Sequence, residues 1–147
     1  MACLTWAAWA VWVESRSSIE ITSRLQKLVQ ATPIKTGICQ IFVRHTSASL
    51  MITENADPSV RRDLETLLAR FAPDGDPDYA HDMEGDDDMA AHARSVLTGS
   101  ALSVPIGEAR LLLGTWQGVY LYEHRASSHQ REIVVTLMGS SGPNESR

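Results

Sequence analysis

From Ser100 to Gly139 the chain carries three β-rich runs, SALSVPI, RLLLGTWQGVYLYEH and REIVVTLMG, with no stretch between them long enough for a helix. Parallel neighbours need a crossover of a dozen or more residues, so strands that follow one another this closely point to antiparallel pairing. No glycine-rich phosphate loop accompanies them, and the doubly wound parallel fold is set aside. Gly114 and Gly118 inside the middle run mark a bend, a bulge or a close backbone approach.

The rest of the chain supplies helices to lay on such a sheet. The start, MACLTWAAWAVWV, reads as a strand buried on both faces or placed at a subunit interface. It lacks the basic leading region of a signal peptide and is too short to span a bilayer. Ser23-x-x-Gln26 has the form of a capping box, and with Leu25, Leu28, Val29 and then Pro33 it predicts a short helix over about 23–31. GICQIFV alternates, with Cys39, Ile41 and Val43 on one face; His45 ends this run on the apolar side, and a second β run follows Thr46-Ser47. Asp57-Pro58 is a helix start, followed by a stripe of Val60, Leu64, Leu67, Leu68 and Phe71. A third helix is expected over about 89–98, capped by Asp88 and ended by Gly99, with Met89, His92 and Val96 on one face. The tail from about 140 to 147 is expected to fray. The expected fold is α+β: a compact single domain spanning 1–147, largely antiparallel sheet or sandwich with about three helices.

Composition limits the partners. A net charge of −5 argues against nucleic acid or an anionic membrane, both of which demand clustered Lys and Arg. Cys3 and Cys39 have neither CxxC nor zinc-ribbon spacing, so a disulfide framework or thiolate metal site is not expected and a reducing cytoplasm is the default.

Three histidines stand in comparable settings: His45 at a strand end, and His81 and His92 bracketing YAHDMEGDDDMAAH. Three neutral imidazoles with one open position suit catalytic zinc, while a histidine on an apolar face is also a common hydrogen-bonded core residue. The acids between them, Asp82, Glu84, Asp86, Asp87 and Asp88, read as a solvated loop with Asp88 drawn off as a cap, and they do not match the EF-hand pattern. Glu123 shares a strand face with Val119 and Leu121, where a carboxylate is costly unless paired, ligating or catalytic. It is a candidate general base, a partner orienting a histidine, or a strand end reaching solvent. His124 points the other way and His129 lies in an expected hairpin, EHRASSHQRE, so both read as surface residues. HTSAS and GTWQ offer hydroxyls, an amide and backbone N–H groups for a phosphate or carboxylate, or for ordinary turn hydrogen bonds.

Taken together, His45–Leu50, Tyr79–His92, Val104–Ile106, Gly114–Gly118, Glu123–Arg125 and the helix start ENADPSVRRDLE resemble the YjbQ-like family, also called secondary thiamine-phosphate synthase-like proteins. The resemblance runs in order from about residue 19 to 139. It implies a homotrimer with a cavity at or near subunit contacts, and His45, His81 and His92 converging on a divalent metal. It also implies that Glu123 and the Gly114–Gly118 segment line the same pocket, and that a weak thiamine-phosphate synthase activity is present. The apolar first strand, Ala90 in place of proline, and SSHQRE without a glycine and second arginine depart from the pattern.

On this reading the ligand is a small phosphorylated or anionic metabolite, with donors from Ser47, Thr115, Trp116 and Gln117. Imidazole ligands favour zinc or another transition metal over magnesium, which prefers oxygen. Three functions follow: coupling of a pyrimidine methyl pyrophosphate to a thiazole phosphate, a metal-dependent hydrolase or lyase with Glu123 moving protons, or a non-enzymatic trimeric metabolite-binding protein.

Overall fold

The structure is a computed structural model that describes residues 1–142. Eight strands and three helices follow in the order β1 (Ala2–Val13), β2 (Ser17–Glu20), α1 (Thr22–Gln30), β3 (Thr36–Val43), β4 (Ala48–Glu54), α2 (Pro58–Phe71), α3 (Asp88–Thr98), β5 (Ala101–Gly107), β6 (Arg110–Leu111), β7 (Gln117–Glu123) and β8 (His129–Ser140). Every strand pair is antiparallel, and the helical connections, β2 to β3 and β4 to β5, join strands of different sheets. One sheet has five strands in the order β1-β8-β3-β5-β6, the other three in the order β2-β7-β4. The two share one core, to which the first contributes Ile41, Val43, Ile133 and Val135, the second Leu50, Val119 and Leu121, and α1 Leu25 and Val29. Among the described residues no helix is long and apolar enough to cross a membrane.

Local chemistry accounts for most helix ends. Asp57 caps α2, its Oδ1 accepting from the Ser59 N–H at 2.8 Å, with Pro58 at the first helical position. Gly99 ends α3 at a φ of +103°, where an L side chain would be strained. The capping box at α1 does not form. Gln26 instead donates to the Ala109 carbonyl and accepts from the Leu111 N–H, stitching the helix to β6.

Three other expectations change. The first strand is covered on one face only, because β1 lies at the edge of its sheet with Leu4, Trp6 and Trp12 turned outward. The inward residues of α3 are Ala90, Ala91, Arg94 and Ser95, and Val96 faces solvent. EHRASSHQRE is not a hairpin: β7 and β8 belong to different sheets, so the segment crosses between them. The strand β8 ends at Ser140, and most of the tail expected to fray from about 140, residues 143–147, lies outside the described residues.

His124 is the largest departure. Its side of β7 is not a surface, because helices α2 and α3 lie over the three-stranded sheet, and the residue is fully buried. Its ring lies 4.6 Å from that of Tyr122, its Nε2 is 2.7 Å from the Ser49 Oγ, and its Nδ1 has no partner among the described residues. Burial, reinforced by the charges of Arg94, Arg16 and Arg131, pushes its pKa down to about 3.

Two consequences can be measured. The unfolded chain returns His124 to its ordinary value of 6.5 and binds a proton that the folded chain refuses. Its contribution to stability is therefore complete above pH 6.5 and falls by ~1.4 kcal/mol per pH unit as the pH drops toward 3. Urea unfolding between pH 7.5 and 5 should show a shallower pH slope in His124→Gln than in the parent, and identical slopes would refute the assignment. Removing the α2 cap in Asp57→Ala should lower the urea midpoint in the same assay, with no change in the fold.

Candidate metal centre

The acidic stretch folds back on α3 because three arginines hold it. Arg94, nearly buried, donates through Nη2 to the Ala72 carbonyl at 2.7 Å and to Asp74 at 3.2 Å, and Arg16 pairs with the same Asp74 at 2.9 Å. Arg125 reaches in from the β7–β8 crossover. Its Nε meets Asp87 Oδ2 at 3.0 Å, its Nη1 meets Asp88 Oδ1 at 2.7 Å, and its Nη2 donates to the Glu84 carbonyl at 2.9 Å. A turn at Gly85, with φ at +108°, lets the chain wrap around this guanidinium.

This contact settles the fate of the acid run. Asp87, rather than Asp88, takes the N-cap position of α3, and Asp88 becomes the first helical residue with a buried carboxylate. Burial raises the pKa of Asp88. The His81 hydrogen bond and the charges of Arg125 and His92 outweigh it, and the group stays below the ordinary carboxylate range. The other acids, Asp82, Glu84 and Asp86, face water as expected.

Around Asp88 two of the three candidate histidines come together. Its Oδ2 lies 2.6 Å from His81 Nε2 and 3.4 Å from His92 Nε2, and the two rings are 5.3 Å apart. One ligand atom from each of His81, Asp88 and His92 falls within 4.8 Å of the others. His92 Nδ1 lies 3.0 Å from the Thr46 carbonyl. A carbonyl can only accept, which assigns the ring proton to Nδ1 and leaves the Nε2 lone pair directed at the cluster. The donor chemistry fits a divalent transition metal: two imidazoles and a carboxylate, with His92 and Asp88 braced from behind.

His45 stands across a cleft of about 380 Å³ that it lines with Thr46, His92, Ser95, Val96, Gly99 and Ser100. Its Nε2 accepts the Glu132 N–H at 2.8 Å, leaving Nδ1 as its open nitrogen. Burial and the Arg131 charge lower its pKa, against the opposing pull of Glu123 and Glu132, so the ring is neutral at pH 7. In the three-residue cluster Asp88 occupies the place that the sequence reading gave to His45.

Glu123 is fully buried and both its oxygens are engaged. Arg131 Nε meets Oε2 at 2.5 Å and Nη2 meets Oε1 at 2.6 Å, while the Arg125 N–H donates to Oε1 at 2.9 Å. Of the readings open for a carboxylate on this face, pairing is the one its surroundings satisfy. Ser47 joins the same network, its Oγ accepting from Arg131 at 2.9 Å.

Thr115, Trp116 and Gln117 lie elsewhere on the chain. Gln117 opens β7 and Glu123 closes it, so the two are separated by ~20 Å at the rise of an antiparallel strand. The loop is tied into a turn, with Gln117 Oε1 accepting the Gly114 N–H and Asn55 bonding the backbone of Thr115 and Gln117. Gly118 is needed there, since a Cβ would come within 2.9 Å of the Tyr120 ring. Within one chain these donors do not meet the histidines.

Four contributors were missed from the sequence: Asp88 as a buried carboxylate, Arg125 as its distant brace, Arg131 as the partner of Glu123, and the Thr46 carbonyl. Asp88, Arg125 and Thr46 each lie inside a segment the sequence singles out, YAHDMEGDDDMAAH, EHR and HTSAS, but none of those segments signals the contacts between them.

The comparisons agree with this architecture. The sequence profile described as UPF0047 protein YjbQ-like matches residues 10–140. UPF0047 protein sll1880 of Synechocystis is 50% identical over 126 residues, covering 86% of both chains. UPF0047 protein YjbQ of Salmonella typhimurium is 45% identical, covering 82% of this chain and 84% of its own. A Clostridium acetobutylicum protein of the yjbq/upf0047 family superposes with a TM-score of 0.82 at 32% identity, covering 89% of this chain and 98% of its own. A Sulfolobus solfataricus protein described as YbjQ-like and of unknown function gives 0.82 at 26% identity, covering 94% and 100%. The chain belongs to the YjbQ-like UPF0047 family.

Proposed function

We infer that the chain is a metal-dependent enzyme of hydrolase or lyase type that acts on a small anionic metabolite, its divalent metal held by His81, Asp88 and His92. The observation that carries this reading is the convergence of three ligand atoms within 4.8 Å, with His92 fixed by the Thr46 carbonyl and Asp88 by Arg125. Two imidazoles and a carboxylate favour zinc or a similar ion over magnesium. Bound there, such an ion would polarise an oxygen of the substrate or lower the pKa of a bound water.

The chain's own groups divide the remaining work. The cleft beside the centre offers His45 and the hydroxyls of Thr46 and Ser100, and none of its lining residues is acidic, which suits an anion. Neutral His45, through Nδ1, is placed to hold or relay a proton across that cleft. Glu123 acts as a positioning residue. It orients Arg131 and the backbone of Arg125, and through Arg125 it sets the angle of Asp88.

The coupling of pyrimidine methyl pyrophosphate with thiazole phosphate fits as a secondary reaction. Expelling pyrophosphate calls for oxygen-rich magnesium chemistry, and the hydroxyl and amide donors of Thr115 and Gln117 lie at the far end of β7.

Elemental analysis of the purified protein tests the centre. The parent should carry about one transition-metal ion per chain, Asp88→Asn and His92→Ala should lose at least ~90% of it, and Arg125→Gln should weaken binding ~10–100-fold as the loss of a bracing partner does. His45→Ala should keep the metal and lose turnover. Equal metal content in all five proteins would sink the reading.

A further inference from the structure

Helix α1 approaches both edge strands of the five-stranded sheet, and only one of those edges closes on it. At β6 the helix is tied down by Gln26, which bonds the backbone of Ala109 and Leu111, and it packs on β7 beside it. At β1 no hydrogen bond among the described residues holds the helix, and a groove of about 210 Å³ runs between the two. Thr5 and Ala7 of β1 line one side, Leu28 and Thr32 the other, and the buried Val135 and Leu137 of β8 the floor. Burial along the inward row of β1 changes at this groove: Cys3, Thr5 and Ala7 are half-buried, whereas Trp9 and Val13 are buried.

The groove is apolar along its length and basic at one end. Arg24 lies one helical turn before Leu28, and Trp9 lies two residues beyond Ala7 on the same row. The two meet there, with the guanidinium carbon 4.6 Å from the centroid of the Trp9 ring. Among the described residues no carboxylate pairs with Arg24. The helix also carries Lys27 and has no acidic residue, so it is a locally positive element on a chain of net charge −5. The same ring supplies a second, independent signal. Trp9 is only 9% exposed, and its indole N–H is buried without an acceptor, which is destabilising until one arrives.

Size and shape select the body of the ligand. Thr5 and Trp9 stand four residues apart, ~13 Å along an antiparallel strand. The space holds only about seven water-sized groups, which is room for a single chain and not for a fused ring system.

We propose that this groove binds a medium-chain aliphatic carboxylate of about eight carbons, its chain between α1 and β1 and its carboxylate at Arg24. Burial of methylenes against Ala7, Leu28 and Leu137 supplies the affinity, and the charge-assisted hydrogen bond to the guanidinium fixes the direction of the chain. The groove shares no lining residue with the metal centre or its cleft, so the inference stands apart from that reading.

Isothermal titration of the full chain with sodium octanoate tests it. The parent should bind one octanoate per chain, with the same affinity in Asp88→Asn, whose metal centre is disabled. Hexanoate should bind ~10-fold more weakly, as the loss of two buried methylenes requires. Octanol should bind ~10–100-fold more weakly than octanoate, because it cannot pair with a guanidinium. Arg24→Gln, at an exposed position, should weaken octanoate by the same factor and leave octanol unchanged. Ala7→Leu, which fills the groove, should abolish binding of both with unchanged far-ultraviolet circular dichroism. The indole N–H resonance of Trp9 should move downfield as octanoate is added. Absence of saturable binding in the parent, equal affinities for octanol and octanoate, or full binding in folded Ala7→Leu would each overturn the proposal. So would capture of the parent by phosphatidylglycerol vesicles without binding of free octanoate, which would make the groove a membrane contact.

Discussion

A buried ion pair between the two sheets organises the rest of the molecule. Arg131 projects from β8 of the five-stranded sheet, Glu123 from β7 of the three-stranded one, and they meet through two hydrogen bonds with almost no exposure. Such a pair adds little net stability, because desolvating both charges costs about what their attraction returns, but losing one partner strands the other at a cost of ~3–5 kcal/mol. What it contributes is position. Arg131 also grips Ser47, at the turn into β4, and Glu123 grips the backbone of Arg125, at the start of the crossover.

From that anchor the candidate centre follows in steps. The Ser47 turn carries the Thr46 carbonyl that orients His92, and Arg125 carries the guanidinium that draws Asp87 and Asp88 inward. Arg94 and Arg16 hold the preceding loop through Asp74. His81 and His92 therefore meet Asp88 on a frame built from residues of β7, β8, the β3–β4 turn and α3. An acidic loop alone would be solvated and mobile. Bound by arginines on one side, it presents a single carboxylate to two imidazoles on the other.

The sequence made the strands, the antiparallel order and the α2 start legible, because alternation, short connections and Asp57-Pro58 are local signals. It also singled out His81 and His92. Where it misled, the cause was non-local. Alternation put His124 opposite Glu123 correctly but could not say that both faces of β7 are covered, since a strand under helices on one side and a sheet on the other has no solvent face. Asp88 looked like one more acid in a solvated run, and its burial depends on Arg125, 37 residues away. EHRASSHQRE looked like a hairpin because two β runs flank a short polar segment, and only the sheet order reveals a crossover.

The account's central claim is that two imidazoles and the Asp88 carboxylate, in place of a three-histidine set, form the metal centre. X-ray absorption at the zinc edge of the zinc-loaded protein reads this directly, because imidazole rings leave a multiple-scattering pattern that carboxylates do not. The account predicts two imidazoles and at least one oxygen at ~2.0–2.2 Å, with the oxygen contribution altered in Asp88→Asn. Three imidazoles with a spectrum indifferent to Asp88→Asn would contradict it.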